Sequence, residues 1–159
     1  MKSFGSKRND APVRLLLAML FTLLCENTFG QQPNTNSTNV RFAAVDIFVD
    51  SQDKPLAAYQ LEFSVTNGVA KIVGIEGGEH LAFREPPFYD PKAMQSERVI
   101  IAAFTTGKQL PTGKTRVATI HLQLSGASEP EIALGQQVTA DSSEKILSAK
   151  TSFEMRAKK

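Results

Sequence analysis

In LAAYQLEFSVT, Leu56 to Thr66, side chains alternate with a period of two: Tyr59, Leu61, Phe63 and Val65 fall on one face, Gln60, Glu62, Ser64 and Thr66 on the other. Successive strand side chains point to opposite sides of a sheet, so this is a strand with one face in a core. The same signature runs from Val40 to Val49, and in TRVATIHLQL it sets Ala118, Ile120, Leu122 and Leu124 against Thr119, His121 and Gln123. Two further strands are expected at about Glu131–Thr139 and Ile146–Met155, the latter with Ala149, Thr151, Phe153 and Met155 on one face. VAKIVGIE and RVIIAAFTT are apolar on both faces, as interior strands are.

Turn formers lie between these runs. DSQDKP, Asp50 to Pro55, predicts a hairpin between the first two strands, and Asn67-Gly68 predicts a second tight turn. From residue 40 to 156 nothing sustains helical periodicity over the ~11 residues of a typical helix. The expectation is an all-β, antiparallel sandwich of jelly-roll topology with eight or nine strands.

The N-terminus carries a different message. Lys2, Lys7, Arg8 and Arg14 precede the apolar run Leu15–Leu24, after which the chain turns polar: the layout of a secretory signal peptide, with cleavage expected after Gly30. The run is far shorter than the ~20 residues of a membrane span, so no span is expected in the mature chain. Cys25 stands where a lipoprotein carries its lipidated cysteine, but Leu24 before it is bulky, which argues against lipidation. The mature protein is expected outside the cytoplasm, whether secreted, periplasmic or at the cell surface. Residues 31–39 read as a flexible leader, and 40–156 as one domain.

Losing residues 1–30 removes the single cysteine, so no disulfide or thiolate chemistry is available to the mature chain. Four basic and two acidic residues leave with it, and the rest balance, giving no net field to attract nucleic acid or an anionic membrane. Only His80 and His121 could serve as an imidazole base. EGGEH, with Glu76, Glu79 and His80, offers ligand types suited to a divalent metal, but without the spacing of a three-ligand zinc site. It reads as a glycine turn with a solvated rim. Asp50 and Asp53 are too few for calcium, which takes six to eight oxygens, and read as turn caps. Neither an enzymatic activity nor a cofactor is expected.

VRFAAVDIFVDSQDKPLAAYQLEFSVTNGVAKIVGIEGG and RVIIAAFTTGKQLPTGKTRVATIHLQL together resemble a bacterial cohesin-type module, and the resemblance covers nearly all of residues 40–155. It implies a jelly-roll sandwich, of a kind shared with carbohydrate-binding modules, that docks a protein partner. Cohesins hold calcium-loaded dockerin domains on one sheet face and usually occur as tandem copies, whereas residues 40–156 contain one. A carbohydrate-binding module of related fold is the alternative, set against the absence of Trp and the presence of only two Tyr.

FREPPFYDPKAM, Phe83 to Met94, interrupts the alternation within a connection between Gly77 and Glu97. Such length is uncommon in a compact domain, and the prolines reduce the freedom a partner would have to quench. Arg84, Glu85, Phe88, Tyr89 and Asp90 are the candidate partner-binding residues. The competing reading makes the segment a structural lid, with Phe83, Phe88 and Tyr89 folded over an end of the sandwich and DPKAM forming one helical turn capped by Asp90.

Overall fold

The computed structural model describes residues 39–156. Eight strands alternate in the way the side-chain pattern requires: β1 (Val40–Asp50), β2 (Ala58–Val65), β3 (Ala70–Gly77), β4 (Phe88–Tyr89), β5 (Arg98–Phe104), β6 (Lys114–Ser125), β7 (Ile132–Ala140) and β8 (Lys150–Arg156). Two short 3-10 turns, Leu81–Phe83 and Pro91–Ala93, lie in the connection from β3 to β5. The second is capped as its sequence predicts, with Asp90 accepting a bond from the Lys92 N–H and Pro91 at its start. No helix among the described residues is long and apolar enough to cross a membrane.

The strands form two four-stranded sheets, ordered β3-β6-β1-β8 and β4-β5-β2-β7, with every pairing antiparallel. First pairs with last, second with seventh, third with sixth and fourth with fifth. This is an eight-strand ribbon doubled at its middle and rolled, the winding of a jelly roll. Between the sheets lie Val45, Ile47 and Val49 of β1, Leu61 and Phe63 of β2, Val99 and Ile101 of β5, and Ile120, Leu122 and Leu124 of β6, all nearly inaccessible. The faces predicted for β2 and β6 are the buried ones.

Two expectations are corrected. β1 and β2 do not form a hairpin, because they belong to opposite sheets. The connection after Asp50 is an arch: Leu56 is fully buried within it, and its N–H bonds to the Pro111 carbonyl instead of closing a two-residue turn. The Asn67-Gly68 turn likewise changes sheet, bonded on one side through Thr66 to Glu131 and on the other through Val69 to Ser125. Nor is β3 interior; it is an edge strand. Its apolar character on both faces comes from a register shift between Ile72 and Gly74, which moves the inward side from the Ala70–Ile72 parity to Ile75. A bulge inserts a residue and so exchanges the two faces for the remainder of the strand.

A second irregularity, between Ile47 and Phe48, leaves Val117 without a partner on β1 and turns it inward beside Ala118. The hydroxyl of Tyr59, buried in the opposite sheet, donates to the Val117 carbonyl at 3.0 Å. Burial pushes that phenol above its ordinary pKa, so it remains a donor.

Candidate functional site

The connection from Gly78 to Glu97 crosses from one sheet to the other, and β4 within it sorts its aromatics by face. Tyr89 pairs with Ile101, whose side chain is in the core, while Phe88 pairs with Ala102 on the outside. Tyr89 is accordingly half-buried and packs on the core, whereas Phe88 is 70% exposed. Phe83 is 2% exposed and meets Tyr59 edge to face, with ring centroids 5.2 Å apart. Arg84 and Glu85 are exposed at the end of the first 3-10 turn, and exposed Asp90 is engaged in capping the second. Of the five candidate partner residues, the structure therefore sets Phe88 on the outer sheet face and turns Tyr89 away from it.

Phe88 is joined there by residues from the three other strands of its sheet. Ala102, Gln60 and Val138 continue its row across β5, β2 and β7; Phe104, Ala58 and Ala140 form the next. Phe104 is 68% exposed and stacks on Phe88 at 6.1 Å with 15° between the rings. Val138 and Ile100 are also exposed. Gln60 is the one polar residue that presents its side chain in this apolar field, since Tyr59 beneath it points inward. The rings border a depression of about 280 Å³ floored by alanines.

One edge of the field is charged. Ile100 pairs with Glu62, whose carboxylate binds Arg98 at 2.6 Å. The hydrogen bond from Arg98 holds the Glu62 carboxyl below the usual carboxylate range.

Phe104, Ile100 and Val138 were not among the sequence candidates. The signal for Ile100 and Phe104 was the outward parity of RVIIAAF, which resembles an interior strand's two apolar faces and does not say that one of them is uncovered; Val138 is on β7 and joins them only through strand pairing.

The metal-ligand candidates separate. Glu76 lies 3.0 Å from His121 Nε2, Glu79 accepts from the Arg116 backbone N–H, and His80 accepts from the Ala82 N–H as a cap. Among the described residues no three His, Cys, Asp or Glu side chains are grouped to hold a metal. Asp50 accepts from the Gln52 N–H and Asp53 contacts Lys54, each inside its own turn.

The outer face of the other sheet carries a charged network as well as apolar side chains, of which Phe42 on β1 is 60% exposed. Asp46 receives two hydrogen bonds from Arg156, at 2.6 and 2.8 Å, and one from the Thr119 hydroxyl at 2.7 Å. Thr119 in turn accepts from Arg116 and Arg156. The Arg156 hydrogen bonds hold the Asp46 carboxyl below its usual value, against an opposing effect of burial, with Thr119 and the charge of Arg116 assisting. A depressed folded pKa contributes stability above the ordinary Asp value that is lost as pH falls through the lowered one. In urea unfolding between pH 6 and pH 2, wild type is therefore expected to lose its advantage over Asp46→Asn across the acid limb, below about pH 4. A constant difference between the two across that range contradicts the network.

Comparison with protein-family models, curated proteins and solved structures found no match to the chain.

Proposed function

We propose that this chain is a secreted, non-catalytic, cohesin-like docking module that holds a protein partner, of dockerin-like or other extracellular assembly type, on the outer face of sheet β4-β5-β2-β7. The observation that supports it most is the stacked Phe88–Phe104 pair, exposed beside Val138 and Ile100 on the outer sheet face. Two phenylalanines so exposed offer on the order of 250 Å² of apolar surface, and Val138 and Ile100 extend it toward the size of patch that marks interaction sites. A stable protein interface covers ~800 Å² per partner, so the patch suits the apolar centre of an interface whose rim includes Gln60, Glu62 and Arg98. The partner's matching surface is an apolar ridge flanked by polar groups.

A polysaccharide would also stack on an exposed ring of this near-parallel pair, which favours the alternative of a carbohydrate-binding module. Its hydroxyls would meet an almost wholly apolar field, however, with Gln60 as the polar side chain within it. Each hydroxyl left unpaired on burial costs ~1–3 kcal/mol. The protein reading is thus the better supported.

The test uses the mature protein as bait in a secretome fraction, followed by purification of the captured protein and titration against wild type and Phe88→Ser/Phe104→Ser. At hot-spot magnitudes of ~2 kcal/mol or more, binding is expected to weaken at least about thirtyfold in the double variant, with its melting temperature within about 2 °C of wild type. Equal binding by both proteins overturns the assignment of the face. Retardation of wild type but not the variant in polysaccharide gels, with no protein bound, transfers the face to carbohydrate.

A further inference from the structure

We infer that Asn67 is a site of spontaneous deamidation and isoaspartate formation in the folded protein, which removes one of the bonds that hold the turn between β2 and β3 to the connection between β6 and β7. Asn67 is the single asparagine in the sequence followed by glycine. Both residues are exposed, Gly68 has φ +69°, and a Cβ built there meets nothing within 4 Å. The space beside Gly68 is open, and the glycine brings no side chain of its own to crowd the approach of its nitrogen to the Asn67 side-chain carbon. Among the described residues, the Gly68 N–H also has no hydrogen-bond acceptor, so that nitrogen is free to lose its proton. Asn39, the other described asparagine, precedes the β-branched Val40, which crowds the same approach.

In the reaction, the deprotonated Gly68 nitrogen bonds to Asn67 Cγ, the Cγ–Nδ2 bond breaks, and Nδ2 leaves as ammonia, closing a five-membered succinimide. Water then adds to one of its two carbonyls. Opening at Cγ gives aspartate, and opening at the main-chain carbonyl gives isoaspartate with an extra backbone methylene. No oxidation or reduction is involved.

The consequence lies in what Asn67 holds. Its Nδ2 donates to the Glu129 carbonyl at 2.7 Å, while Arg41 binds the adjacent Ser128 carbonyl and the Glu129 carboxylate. Either product replaces the donor amide by a carboxylate at neutral pH, which cannot bond to a carbonyl and lies near Glu129 and Glu131. The turn then loses its tie to Glu129 and is left bonded to this segment through Thr66 and Glu131, next to the start of β7.

The test incubates folded wild type, wild type in urea, and Asn67→Gln at mildly alkaline pH, followed by peptide mapping with isoaspartate detection and hydrogen exchange of residues 126–131. Expected is conversion at residue 67 in folded wild type, no conversion in Asn67→Gln, and faster exchange in the converted fraction. If Asn67 converts in urea but persists in the folded protein, the fold protects it and the inference fails. Conversion without a change in exchange overturns the structural consequence.

Discussion

Gly77→Ala is expected to destabilise the domain by about 3 kcal/mol or more, measured by urea unfolding, or to prevent folding altogether. A Cβ at this position would overlap the Arg84 carbonyl and come within 2.6 Å of the Glu85 carbonyl oxygen. These are backbone atoms, which cannot rotate aside as a flexible side chain would. Gly78 is constrained from the opposite side, with its Cβ position 2.8 Å from Val117 Cα. Two adjacent glycines thus let the end of β3 pass between β6 and the returning connection, fastened by the Gly78 N–H to the Phe83 carbonyl and by Arg116 to the Gly77 carbonyl. Gly74→Ala is the matched control: its Cβ would meet His121 at 3.5 Å, an ordinary contact, and a change within about 1 kcal/mol is expected. Equal effects at 74 and 77 would show that the close approach does not hold the connection in place.

The GG of EGGEH was legible as a backbone bend but not as a crossing of three chain segments, because Arg116 and Val117, which close the crossing from β6, lie far along the sequence from Gly77 and Gly78. The same limit governs the rest. Alternation in β2 and β6 is local, and the faces it assigns are those found buried. The parity change in β3 depends on a bulge against β6, which no run of residues in VAKIVGIE announces. Asp46, Thr119 and Arg156 form one network from three strands. Phe88 could be singled out as an aromatic outside the core pattern, yet Phe104 is in a strand apolar on both faces, and its partner in stacking is set by pairing between β4 and β5. Periodicity says which side chains share a face. It does not say what, if anything, covers that face.

Phe83→Ala should cost about 3–5 kcal/mol, the range for removing a fully buried aromatic, whereas Phe88→Ala should change stability by no more than about 0.5 kcal/mol. The two residues are five apart in one connection, so the contrast decides what that connection is. Phe83 fills the core against Tyr59, and Ala93 and Met94 farther along also pack on it. Deleting its ring leaves a cavity between two sheets whose separation is fixed by the surrounding strands, so little collapse can offset the loss. Phe88 keeps most of its surface in water, and its main contact is with Phe104, itself exposed. Its removal takes away little burial but half of the stacked platform. The segment is then a lid by its inward residues and a candidate contact surface by one outward residue. Combined chemical denaturation and binding measurements on the two variants separate these roles: stability lost in Phe83→Ala, and affinity lost with stability retained in Phe88→Ala. If both variants lose stability alike, Phe88 belongs to the lid and the platform loses its support.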